Sequence, residues 1–401
     1  GHVMAKLTPK MASEIADIPY KAYENNGRFI IPGKNSFSNH FSFSENDVID
    51  GFTGGVAGLS NVPVLRKVIP GLMRTSEAFA VVGTGKGSTF ENEIVISIRG
   101  TQNANDWITN ANIGVKGSPN GSPAHAGFNN CFQSISPKLK QYIMQITPKP
   151  KRIHCVGHSL GGALASLCAD WVRSEMKIRT TLYTFGAPRV GLEAYARSSE
   201  KLNDGVYRCT HGADPVPKIP LWPFIHAPIS TGEYRLDSGT GLSKSAHLMA
   251  RNKNPGYLNT ASSDSWGALK RKSNDHLFTP IRLKYEQRNQ ASFSEYWADR
   301  IQGALITYLK DVALLSTVTI QAGVIAGLTF YDWLSRKLES VAKASKRNED
   351  QLKGLLGHML VFAGHYGTIA EDLSARFIKW VFEKTIGRLV RVSKQAISLL
   401  S

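Results

Sequence analysis

Along the chain, apolar β-branched runs alternate with stretches of helical period. Residues 10–24 (KMASEIADIPYKAYE) carry a helical pattern broken only by Pro19, and a polar stretch rich in Asn, Ser and Gly follows over 25–47. Residues 51–75 are glycine-rich yet apolar, a composition that suits a mobile flap better than a packed element. Strand-like runs come next: SEAFAVV at 76–82, EIVISIRG at 93–100, RIHCVG at 152–157, TTLYTFG at 180–186 and GVYRCT at 205–210. Helical stretches separate the later ones, most clearly Leu160–Met176. Such alternation predicts an α/β fold with a mostly parallel sheet.

Beyond about residue 296 the texture changes to long helical patterns with few prolines. This divides the chain into an α/β body over residues 4–295 and a helical C-terminal region over 296–401, a candidate for contact with a membrane or a partner. Within the latter, Val312–Tyr331 is 20 residues without a formal charge. That length can just span a bilayer, but Ser316, Thr317, Thr319 and Gln321 favour a buried hairpin or helix. A last helix over Ser374–Leu400 mixes Lys and Arg with an apolar face, and could lie on a membrane surface or pack on the body.

With 401 residues, 42% hydrophobic and 20% charged, the chain has the composition of a globular protein with a sizeable core, neither disordered nor a disulfide-stapled module. The formal net charge is +17, of which residues 301–401 supply +5 and residues 1–300 +12. That field favours anionic lipid headgroups or nucleic acid. Nucleic acid is disfavoured, because there is no zinc-finger spacing, no basic region with heptads and no aromatic sheet signature. Cys131, Cys155, Cys168 and Cys209 have no paired short spacing, so buried reduced thiols are expected and no metal site. Gly1-His2-Val3-Met4 has the look of a cloning remnant ahead of Met4, with no classical signal segment after it.

The chemistry-bearing motif is Gly157-His158-Ser159-Leu160-Gly161-Gly162. It follows an apolar strand and opens an Ala/Leu-rich helix, the setting of a nucleophile elbow. The flanking glycines suit a strained turn on which larger side chains would collide, and the helix N-terminus favours negative charge developing beside the serine.

Together with Ile98-Arg99-Gly100-Thr101, Asp106-Trp107, His125-Ala126-Gly127-Phe128, Phe185-Gly186-Ala187-Pro188-Arg189-Val190-Gly191 and Asp214-Pro215-Val216-Pro217, this motif resembles the class 3 lipases of the α/β-hydrolase fold over roughly residues 76–260. The resemblance implies an ester hydrolase that works without metal or organic cofactor. Ser159 would attack the ester carbonyl, a histidine would take and return its proton, and Asp214, in the turn where the family places its acid, would hold that histidine. The fold's order of serine, acid and histidine leaves His226, His247 and His276. His226 lies too soon after the acid. His247, in Ser245-Ala246-His247-Leu248, fits the family's late loop, and His276 in Asn274-Asp275-His276-Leu277 is the alternative base. The backbone N–H of Leu160 and the N–H and hydroxyl of Thr101 are the implied oxyanion donors. Asp106 and Trp107 fall where the family carries a polar anchor and a lid-type tryptophan.

The charge and the helical tail favour membrane glycerophospholipid as substrate and an anionic membrane surface as partner. Bacterial relatives with such tails include antibacterial type VI secretion effectors. That analogy implies delivery without a classical signal peptide to the periplasm of target cells, and a cognate immunity protein. Triacylglycerol lipase, soluble esterase and an inactive lipase-fold binding protein are the competing expectations.

Overall fold

A computed structural model of the chain describes residues 4–24, 31, 34–50, 78–100, 115–251, 255–323 and 327–400. The expected flap at 51–75 and the sites at Thr101, Asp106 and Trp107 lie outside the described residues.

The strands are β1 Phe41–Asp50, β2 Ala78–Gly85, β3 Glu93–Gly100, β4 Val115–Gly117, β5 Pro123–His125, β6 Arg152–His158, β7 Arg179–Phe185, β8 Val206–His211, β9 Glu233–Asp237 and β10 Arg271–Lys272. The helices are α1 Pro9–Glu24, α2 Ala126–Gln133, α3 Ser136–Met144, α4 Leu160–Trp171, α5 Glu193–Leu202, α6 Tyr257–Thr260, α7 Glu295–Asp311, α8 Leu315–Ala322, α9 Gly327–Ala342, α10 Lys346–Phe362 and α11 Ala375–Ser398. The main sheet runs β1-β2-β3-β6-β7-β8-β9-β10. β3, β6, β7, β8 and β9 pair in parallel, while β1, β2 and β10 add antiparallel margins. With α4 crossing from β6 to β7 and α5 from β7 to β8, this is the mostly parallel sheet of an α/β-hydrolase fold.

The parallel strands are buried on both faces, and their period-2 alternation splits the apolar residues between two cores. Ile94, Ile96 and Ile98 of β3 join Ile153, Cys155, Leu182 and the helices α4, α7 and α10. Val95, Val156, Tyr183 and Phe185 face the other way, onto Met11, Ile15 and Ile18 of α1 and Tyr257 of α6. All four cysteines are buried, and none forms a disulfide.

Two stretches take a form that the sequence reading left open. Residues 41–50, which begin within the polar stretch at 25–47, form β1, antiparallel to β2 with a register shift between Phe43 and Val48. The uncharged stretch 312–331 is not one helix. The chain turns at Val312–Leu314, with Ala313 at φ +59°, and α7 and α8 meet at a 116° bend. No single helix among the described residues is long and apolar enough to cross a membrane.

Helices α7 to α11 share the larger apolar core with the sheet. Ion pairs tie α7 down: Asp299 meets Lys218 at 3.0 Å and Lys272 at 2.6 Å, and Glu295 pairs with Arg235 and Lys272. Burial pushes the Asp299 carboxyl upward, but Lys218 and Lys272 outweigh it and hold the group far below the usual carboxylate range.

Candidate functional site

Ser159 sits between β6 and α4 at φ 60°, ψ −133°, a conformation L-residues seldom adopt. The turn is possible because of its glycines. A Cβ on Gly157 would stand 2.0 Å from the Gly161 carbonyl oxygen, one on Gly161 2.1 Å from the Ile98 oxygen, and one on Gly162 2.6 Å from the Ala187 Cβ. The Ser159 N–H donates to the Phe185 carbonyl at 2.9 Å, anchoring the turn to the neighbouring strand. The strain therefore has a geometric product: Oγ stands at the carboxyl end of the sheet, beside the N-terminus of α4.

Asp214 follows β8, and His247 closes the short 3-10 turn Lys244–His247 after β9. The structure brings these three residues into one line. Ser159 Oγ lies 2.8 Å from His247 Nε2, and His247 Nδ1 lies 2.8 Å and 3.0 Å from the two Asp214 carboxylate oxygens. With Nδ1–H donating to the carboxylate, Nε2 is left to accept the serine proton. Ser159 is 3% exposed, and His247 and Asp214 are fully buried.

The carboxylate is held by more than the imidazole. The Val216 N–H donates to Oδ1 at 3.0 Å and the Tyr257 hydroxyl to Oδ2 at 2.7 Å, while the same hydroxyl accepts the His211 N–H at 3.0 Å. Burial, reinforced by Asp214, pushes the Tyr257 phenol well above its usual range, so it stays a neutral donor.

Two further histidines grip the turn that carries His247. His211 Nδ1–H donates to the Ala246 carbonyl at 2.6 Å, and its ring stacks on Tyr257 with centroids 3.7 Å apart. His158 Nε2–H donates to the His247 carbonyl at 2.8 Å, which leaves Nδ1 to accept the Tyr20 hydroxyl at 2.5 Å. Burial, then the neighbouring His247, pushes the His158 imidazole well below its usual range, so it is neutral. Sequence reasoning missed Tyr20, His158, His211 and Tyr257 as neighbours of the site. The one available signal was the place of His158 inside the serine motif.

The other sequence-predicted residues fall as follows. The Leu160 N–H opens α4 beside Ser159 Oγ, where an oxyanion donor belongs. His276 lies in the 3-10 turn Asp275–Leu277 among Asp299, Lys218 and Arg189, apart from the serine line. His226 donates to the Pro217 carbonyl at 2.6 Å. His125 caps α2 by accepting the Phe128 N–H at 3.2 Å and stacks on the Phe128 ring, so that segment of the resemblance is structural. Among the described residues no group of His, Cys, Asp and Glu side chains is arranged to hold a metal ion.

Residues 95–224 match the family model of Lipase (class 3), a span that includes Ser159 and Asp214. The chain is 36% identical over 171 residues to secreted mono- and diacylglycerol lipase 1 of Fusarium solani, covering 40% of this chain and 51% of the relative. It is 26% identical over 150 residues to the chloroplastic phospholipase A(1) DAD1 of Arabidopsis thaliana, covering 32% of this chain and 34% of that one. The chain thus spans about half the length of the Fusarium relative. A crystal structure of a mutant form of MDLA from Penicillium cyclopium aligns with 67% of this chain and 85% of its own, at 21% identity and a TM-score of 0.41.

Proposed function

We propose that the chain is a serine ester hydrolase of the lipase or phospholipase A type, acting on membrane glycerolipids through Ser159, His247 and Asp214. The observation that carries this reading is the continuous hydrogen-bonded line from Ser159 Oγ through both nitrogens of His247 to Asp214. An inactive binding scaffold would have no need of such a line. Kinship with acylglycerol lipases and a phospholipase A1 supports a lipid ester as substrate. The net charge of +17 supports the glycerophospholipids of an anionic membrane surface over stored triacylglycerol or soluble esters.

In the first step Ser159 Oγ bonds to the ester carbonyl carbon as His247 Nε2 takes its proton. The negative charge moves to the carbonyl oxygen, facing the Leu160 N–H, with Thr101 as the second donor in this reading. Collapse of the adduct expels the glycerol oxygen, which receives the proton from His247. The acyl group stays on Ser159. Water, deprotonated by His247, then releases the fatty acid and restores the serine. Asp214 keeps the imidazole oriented and offsets its positive charge throughout.

In this reading residues 4–295 form the hydrolase and 296–401 a helical region that meets the membrane or a partner. The protein would act as an antibacterial effector delivered to the periplasm of neighbouring cells, with a cognate immunity protein in the producer. Growth arrest on periplasmic expression of the intact protein but not of Ser159→Ala tests that role. Unimpaired growth with the intact protein contradicts it.

The catalytic assignment is tested by treating the protein with an organophosphonate in detergent micelles and mapping the adduct by mass spectrometry. The expected adduct is on the peptide bearing Ser159, and it is absent from Ser159→Ala. A protein that forms none is not a serine hydrolase.

A further inference from the structure

Next to the turn that follows Asp214, charged side chains converge from separate elements. Arg208 lies in β8, Lys218 ends the turn Val216–Lys218, Lys272 lies in β10, Asp299 in α7, and Arg189 follows β7. They line a cavity of about 20 Å³ between the α/β body and the first helix of the C-terminal region. Most of these charges are paired. Arg208 meets Glu233 at 2.8 Å, and Lys218 and Lys272 meet Asp299 at 3.0 Å and 2.6 Å. One layer out, Glu295 pairs with Lys272 and Arg235.

Arg189 is the exception. It is buried and donates to two carbonyl oxygens, those of Lys218 at 2.6 Å and Pro220 at 3.0 Å, with no ion pair among the described residues. Burial lowers its guanidinium only to about 10, so it stays charged. Around the cavity, five cations (Arg189, Arg208, Lys218, Arg235 and Lys272) therefore meet three carboxylates (Glu233, Glu295 and Asp299) among the described residues. The two histidines in its wall do not alter the balance. Burial, then Arg208 and Arg189, push His226 well below its usual range, and burial pushes His276 down to about 4, so both are neutral. A buried excess of positive charge is costly unless a counter-ion joins it. Arg208 Nε and Gln302 Oε1 are buried without a hydrogen-bond partner among the described residues, and both side chains line the cavity. Half a turn of the Gln302 amide would present an N–H in place of the oxygen. The space suits one particle of about the size of a water, not a polyatomic ligand.

We propose that this cavity binds a single halide ion, chloride under physiological conditions, held by the Arg208 Nε–H in the positive field of Arg189 and Lys218. The ion ties α7 to the turn after Asp214. The site lies apart from the serine line and stands whether or not the chain hydrolyses esters. Because the cluster exists only in the folded chain, halide binding raises stability as its concentration rises. A water in the same place would satisfy Arg208 Nε but leave the excess charge uncompensated.

The test follows thermal unfolding of the full chain at constant ionic strength while sodium chloride replaces sodium gluconate, whose anion is too large for the cavity. The melting temperature is expected to rise saturably, by about 3 °C or more. Gln302→Glu places a carboxylate in the cavity wall as a built-in counter-ion. In gluconate this variant should melt above the parent, and its chloride dependence should be lost. Were the cavity filled by water and its charges already balanced, the new carboxylate would lie near Asp299 and Glu233 and lower the melting temperature in both salts. Crystals grown in sodium bromide give an independent reading, an anomalous bromide peak expected within hydrogen-bond distance of Arg208 Nε. A flat chloride titration overturns the site. So does a Gln302→Glu variant that is destabilised in gluconate or keeps the chloride dependence, and so does bromide seen at the surface as an adventitious ion only.

Discussion

The imidazole of His158 lies against that of His247, ring centroids 4.7 Å apart at 28°, and donates Nε2–H to the His247 carbonyl oxygen at 2.8 Å. The residue just before the nucleophile therefore fixes the backbone and the ring plane of the proposed base. His158→Phe keeps an aromatic ring in place but leaves the His247 carbonyl and the Tyr20 hydroxyl without this partner. Such losses cost about 1–3 kcal/mol each when buried. The expected outcome is a lower melting temperature and a kcat reduced about tenfold with KM little changed, read by calorimetry and by hydrolysis of a short-chain ester.

Gly186 has φ +58°, and a Cβ there would stand 2.6 Å from Asp214 Oδ2, 3.0 Å from the Tyr257 hydroxyl and 3.1 Å from His247 Nδ1. Gly186→Ala must displace the very groups that align the base. Esterase activity is expected to fall about 100-fold or more, since small misplacements of catalytic groups cost that much. The protein should remain folded by circular dichroism.

Tyr257→Phe removes one donor from Asp214 and one acceptor from the His211 N–H. The ring and its stack on His211 survive. A loss of about tenfold in kcat is expected, against about 10,000-fold for Asp214→Asn, which removes the partner that sets the histidine tautomer. Steady-state kinetics of the two variants side by side check the ranking.

Acid should destabilise the fold in a traceable way. Burial pushes His125 down to about 3, whereas the unfolded chain titrates near about 6.5. Between these values the unfolded state holds a proton that the folded state lacks. This contribution is complete above about pH 6.5 and is lost as pH falls, at roughly 1 kcal/mol per pH unit. His125→Asn keeps an acceptor for the Phe128 N–H but does not titrate. Urea unfolding at a series of pH values should show a shallower acid slope for the variant, and parallel slopes would contradict the assignment.

Much of this architecture is legible in the sequence, because the central strands are buried on both faces and read as apolar β-branched runs from Glu93 to His211. The strand β1 was not legible. Among the described residues it pairs in the sheet only with β2, so a sequence as polar as FSFSENDVID can occupy it. The uncharged stretch 312–331 left hairpin and helix both open, since composition does not reveal the left-handed turn at Ala313. At the site, Ser159 was legible because its backbone strain demands glycines at fixed offsets. His247 stands 33 residues from Asp214, and chain order alone left His276 open. Tyr20 reaches His158 across 138 positions, a contact that only the folded sheet creates.

The most direct test of the proposed activity is product analysis by mass spectrometry on defined phospholipid vesicles, with intact protein and Ser159→Ala in parallel. Free fatty acid and lysophospholipid should accumulate with the intact protein only. Equal release by both proteins, or no release by the intact protein, would contradict serine-mediated hydrolysis of membrane phospholipid.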